Sequence, residues 1–188
     1  MRTSLQSMPR RRFGIVAAAA LGTALPAVVG CRPPASALID GTRQKILQPD
    51  QPIEADSLVA AYAAIQPGSE VVVVARIFSS LGDPFDRTNA AFNVIELPKP
   101  GHDHDDPGDC PFCKREMENA ATAVVQIVDE QGEVLQVSAD KLLGLKKNQD
   151  VVVTGVATLV GEVMLVNARA IHVLSAEAAL EFATRIHS

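Results

Sequence analysis

Apolar residues follow three rhythms along the chain. From Phe13 to Val29 they run almost unbroken. From Asp56 to Ile65 they recur at helical spacing, as Leu58, Tyr62 and Ile65, behind an Asp/Ser cap and ahead of Pro67-Gly68. That spacing predicts a short amphipathic helix. From Glu70 onward the pattern is one of short β runs. Residues 71–78, 90–97, 121–128, 151–160 and 162–174 each read as a strand, rich in Val and Ile and bounded by Gly, Pro or Asp turns. Residues 134–137 read as a hairpin partner or continuation of the third strand across the turn at 129–132. Residues 139–145 predict a short helical or 3₁₀ piece between the third and fourth strands. Ser175 caps a terminal helix running to about Ile186, with Leu174, Ala178, Phe182 and Ile186 on its packing side.

The resulting order is three strands, a short helix and two strands. It resembles the OB-fold, a five-stranded Greek-key barrel whose helix lies between the third and fourth strands. The fold class implied is mostly β, a five-stranded OB-fold-like barrel with short flanking helices. Asp150-Val151-Val152-Val153-Thr154-Gly155 and Ala168-Arg169-Ala170-Ile171-His172-Val173 resemble the last two strands of small exported bacterial OB-fold proteins. Some of those share a helix like that ending in Ala61-Tyr62-Ala63-Ala64 just before the first strand. The resemblance spans residues 55–174 and implies a fold rather than a ligand, because this architecture hosts oligonucleotide, oligosaccharide and protein binding alike.

The unbroken apolar run belongs to a different job. It follows Arg2, Arg10, Arg11 and Arg12 with no acid, the layout of an export signal over residues 1–30. Its Ala and Gly content and Pro26 disfavour a permanent membrane span. Val28-Val29-Gly30-Cys31 resembles the bacterial lipobox, which implies diacylglycerol and palmitate on Cys31 as the mature N-terminus. Two acyl chains suffice for stable membrane attachment where one does not. Arg10-Arg11-Arg12-Phe13 resembles the twin-arginine export motif, with Arg10, Arg11 and Phe13 in place; Pro9 and Gly14 depart from it, so general secretion stays open. Residues 31–53, with Pro33, Pro34, Pro49 and Pro52, then read as a lipidated N-terminus and flexible tether of little order. The expected location is the bacterial cell envelope, with the protein lipid-anchored and facing the periplasm or exterior.

Composition sharpens this picture. Of 188 residues 47% are hydrophobic, enough for one core, but there is no Trp and one Tyr, so aliphatic side chains must fill it. Removing residues 1–30 takes away four Arg and no acid, leaving 13 basic against 22 acidic residues, a formal charge of −9. An anionic domain repels phosphate backbones, which excludes nucleic acid as an expected partner and leaves an unknown protein or small ligand besides the membrane.

The concentrated chemistry is GHDHDDPGDCPFC, within an insertion at 98–118 between the second and third strands. A loop this long has no core of its own to offset the conformational entropy lost when it is ordered, so a clamp is expected. His102, His104, Cys110 and Cys113 offer two imidazoles and two thiolates, a donor set suited to tetrahedral zinc, and Pro107-Gly108 can turn one pair toward the other. Asp103, Asp105, Asp106 and Asp109 supply acceptors for the imidazole N–H groups or a replacement ligand. Lys114 and Arg115 offset their charge. Cys110-Pro111-Phe112-Cys113 also resembles the motif of thioredoxin-like oxidoreductases, and an oxidising compartment favours a passive disulfide. A metal-bearing binding module, a metal-trafficking or thiol-redox protein, and an unliganded acidic loop therefore all stand. His172, within an apolar run, reads as packed or at an edge; His187 is terminal; Arg87 is placed to pair with an acid. No nucleophilic triad or phosphate-cradling loop appears, which favours binding over catalysis.

Overall fold

The computed structural model describes residues 35–100, 115 and 119–188, with side chains described from residue 39 onward. Among them the chain forms helices α1 (Ala35–Ile46) and α2 (Leu58–Ala64), then strands β1 (Ser69–Ile77), β2 (Ala91–Glu96) and β3 (Thr122–Gln126). Helix α3 (Ala139–Leu143), strands β4 (Asp150–Val160) and β5 (Val163–Val173), and helix α4 (Ala176–Ile186) complete it. The strands close into a barrel in the order β1-β2-β3-β5-β4. All pairings are antiparallel except β3 with β5, which run parallel from Ala123↔Met164 to Gln126↔Asn167. The expected OB-fold-like barrel is thus present.

Strand alternation sorts the side chains. Val73, Ala75 and Ile77 of β1, Phe92 and Val94 of β2, Val125 of β3, Val153 of β4 and Met164 and Val166 of β5 point inward and are buried. Leu142 and Leu143 of α3 join that core, as does Leu58 of α2. Burying each of the Val, Ile, Leu, Met and Phe side chains among them contributes roughly 1.5–3 kcal/mol. The β4–β5 hairpin turns at Gly161, whose φ of +64° suits the first position of a two-residue turn and disfavours a side chain. A β-bulge interrupts the β4–β5 register between Thr154 and Gly155. There a Cβ on Gly155 would overlap the Asn167 carbonyl oxygen, so the close approach of two backbones selects glycine.

The terminal helix behaves as its pattern predicts. Ser175 accepts from Ala178 N, and Phe182, Ala179 and Ala183 bury against Val74, Val152 and Leu97 on the outer face of the barrel. Two segments differ from expectation. Residues 35–46 form a helix, where the proline-flanked sequence predicts little order. Ile39 and buried Ile46 pack on the core, and the Arg43 guanidinium donates to Leu142 O at 3.0 Å and Lys141 O at 3.3 Å, satisfying carbonyls at the end of α3. Tertiary contact, not local periodicity, makes this helix. Residues 134–137 form no strand; a single bridge, Val128↔Val134, joins them to the segment after β3.

Candidate functional site

Cys31, the export residues Arg10, Arg11 and Phe13, and all four expected metal ligands, His102, His104, Cys110 and Cys113, lie outside the described residues. The structure does describe the mount of the insertion. Leu97 is buried under α4, and the chain leaves it through Pro98 and Lys99 and returns at Asn119. Glu96 N donates to Ala121 O at 2.8 Å, so the two ends of the insertion meet in one ladder bond. Above that bond Phe78 and Ile95 are buried together with Ala120 on the outer face of β1 and β2, and Lys147 Nζ lies 5.3 Å from the Phe78 ring centroid.

Three further contacts hold the stem. The Glu96 carboxylate reaches back to the start of α2, accepting from Val59 N at 3.1 Å. Its half-buried position raises its pKa above the usual 4.5, against the lowering pull of the Val59 and Leu58 N–H groups, His187 and Ser57. The His187 ring Nε2 sits 2.8 Å from Leu97 O. Tyr62 of α2 donates its hydroxyl to Thr122 O at 2.6 Å and accepts from Met164 N at 2.7 Å, which ties the starts of β3 and β5 together. Helix α2, the end of α4 and the closing strand pair therefore converge on the root of the insertion.

Adjoining that root is a sheet face that sequence reasoning missed. The outward residues of β2, β3, β5 and β4 form two cross-strand rows. One is Asn93, Val124, Leu165 and Thr158; the other is Ala91, Gln126, Asn167 and Val156. Gln126 Nε2 donates to Asn167 Oδ1 at 2.7 Å. All eight are half-buried, yet Val124 and Leu165 belong to no apolar cluster of the described residues. Such a face offers amide donors and acceptors among aliphatic side chains, with no aromatic platform and no charge. Outward polar residues on a strand look solvated in a sequence, and only the register shows that they gather.

The remaining candidates resolve locally. His172 on β5 places Nδ1 3.0 Å from Gln48 O, an edge role as its pattern suggests. Asp86 accepts from Thr88 N and Asn89 N, each at 2.8 Å, which pulls its pKa to about 2. Arg87 is exposed and makes no ion pair among the described residues. Arg76 and Asp150 form a two-pronged pair at 2.7 and 2.9 Å across β1 and β4. Among the described residues no three His, Cys, Asp or Glu side chains gather as a metal-binding group, and no helix is long and apolar enough to cross a membrane. No protein-family model matches the chain, and neither a curated protein nor a solved structure matches it.

Proposed function

We propose that this chain is a lipid-anchored cell-envelope protein whose barrel acts as a non-catalytic binding module, with a zinc-clamped insertion standing at the rim of the binding face. The observation that carries this reading is the mount. The barrel closes without the insertion, whose ends are pinned by Glu96 N to Ala121 O beside Asn93 and Val124. A long loop without a core of its own needs an internal clamp to present a defined surface. His102, His104, Cys110 and Cys113 are the residues that would hold the ion, and two nitrogens with two thiolates match zinc's preferred donors. A bound metal there supplies folding free energy to the loop rather than reaction chemistry. The uncharged amide face suits a neutral polar chain or a peptide backbone better than a nucleic acid, which has no aromatic side chain to stack on here.

The test is the metal content of protein purified from the envelope without added metal, beside a Cys110→Ser/Cys113→Ser variant. Stoichiometric zinc in the parent and its loss in the variant is the expected result; equal metal in both sinks the proposal. The rival readings separate in the same preparation. A structural ion resists mild chelation and its removal lowers stability, whereas a trafficking site exchanges without loss of fold. Thiol-redox work requires a Cys110–Cys113 potential well above that of structural disulfides. For the anchor, Cys31→Ser should abolish palmitate labelling and release the protein from the membrane fraction; unchanged labelling refutes lipidation at Cys31.

A further inference from the structure

The two rows of the uncharged sheet face, one with Val124 and Leu165 and the other with Gln126 and Asn167, lie two residues apart along the strands, which is about 7 Å. The β4–β5 hairpin adds a third row at the same interval, Val160 opposite Val163, with these residues 62% and 43% exposed. Aliphatic side chains therefore occupy two successive rows and amides the next. About 7 Å is also the interval at which side chains return to one side of an extended polypeptide. The amide row is half of a hydrogen-bonding pattern. Gln126 Nε2 donates to Asn167 Oδ1 at 2.7 Å, and neither side chain has another partner among the described residues. That leaves Gln126 Oε1 as an acceptor beside the Asn167 Nδ2 donor. One peptide group, with its N–H and C=O, satisfies both.

Charge and size narrow the occupant. No outward side chain of these rows is charged; Arg169 at their border is paired with Glu70, and Glu162 in the hairpin turn repels anions. No aromatic ring offers a sugar or a base a platform to stack on. With four strands about 4.8 Å apart and three rows about 7 Å apart, the face measures about 14 Å by 14 Å, or about 200 Å². A standard protein interface takes about 800 Å² per partner, so a second copy of this chain or a folded partner needs more surface than this. An extended segment of about four residues covers it.

We infer that this face binds an extended, uncharged peptide segment, its aliphatic side chains on Val124, Leu165, Val160 and Val163 and one peptide group bonded to Gln126 Oε1 and Asn167 Nδ2. The inference rests on the reading of the barrel as a binding module and names its ligand; it stands whether or not the insertion holds a metal. The test is a titration of the ¹⁵N-labelled full-length protein with acetyl-Ala-Val-Ala-Val-amide and, in parallel, with chitotetraose, an uncharged glycan that also carries secondary amides. The peptide should shift the side-chain amide signals of Gln126 and Asn167 saturably, with a Kd of about 0.1–1 mM for so small a footprint. Gln126→Leu should weaken it roughly three- to tenfold, the loss of one neutral hydrogen bond. Val124→Lys, on the neighbouring row, should weaken it further by placing a charge under the aliphatic side chains. Unchanged peptide affinity in both variants overturns the inference. So do shifts produced by chitotetraose and not by the peptide, which leave the binding-module reading in place. Signals unmoved by either ligand overturn the inference and remove this face from that reading as well.

Discussion

Replacing Tyr62 by Phe isolates one hydroxyl at the seam where the barrel closes. That hydroxyl donates to Thr122 O at 2.6 Å and accepts from Met164 N at 2.7 Å, so it bonds to the backbones of both strands of the parallel pair. Phenylalanine keeps the ring and removes both bonds. It leaves the amide of Met164, whose residue is fully buried, without its acceptor. Two net bonds at about 1 kcal/mol each, with a desolvated donor left behind, give a destabilisation of about 2–3 kcal/mol. Against a total stability of about 5–15 kcal/mol this is a large share. With a urea dependence of about 2 kcal/mol per molar, the midpoint should fall by about 1 M. The measurement is far-UV circular dichroism during urea titration. Because the chain has one Tyr and no Trp, Tyr62 emission in the parent reports this seam alone, and its transition should coincide with the circular-dichroism transition. A midpoint change under about 0.2 M at unchanged slope refutes the reasoning, because the two bonds would then contribute nothing to closure.

Three other outcomes follow from the same structure. Gly155→Ala places a Cβ against the Asn167 carbonyl, with Asn167 C at 2.9 Å and Ala168 Cα at 3.1 Å, so backbone must move; about 1–3 kcal/mol should be lost in denaturant titration. Phe182→Ala empties the centre of the contact between α4 and the barrel and should cost about 3–5 kcal/mol by the same assay, with the far-UV helical signal lowered if α4 detaches. Glu96 has a raised pKa in the fold, so its contribution to stability is fully present below about 4.5 and is lost as pH rises through the raised value. Glu96→Gln should therefore flatten stability between pH 4 and neutrality, and parallel pH profiles for parent and variant would contradict that assignment.

The strands were legible because their cores are runs of Val and Ile broken by Gly, Pro and Asp, a local signal that burial then reinforces. The terminal helix was legible for a similar reason: Ser175 caps it and Phe182 lies on the face that packs. Helix α1 was not, because its stabilising contacts are distant in sequence. Arg43 reaches Leu142 and Lys141, and Ile46 reaches the barrel core, whereas Gly41 and the flanking prolines argue locally against a helix. The candidate chemistry divides along the same line. His102, His104, Cys110 and Cys113 announce themselves by type and spacing. Asn93, Gln126 and Asn167 become neighbours only through strand register, which no local window contains.

The position of β5 carries a consequence for biosynthesis. It follows the other four strands in the chain, yet it lies between β3 and β4, and Tyr62, 102 residues before Met164, joins it to β3. A nascent polypeptide that ends before Val163 exposes unpaired edges on both of those strands and has no closed core to retain. The barrel therefore cannot close until β5 has been translated. A factor that engages the chain before β5 appears meets it still unfolded over this domain. One that requires a finished fold must wait until β5 has emerged.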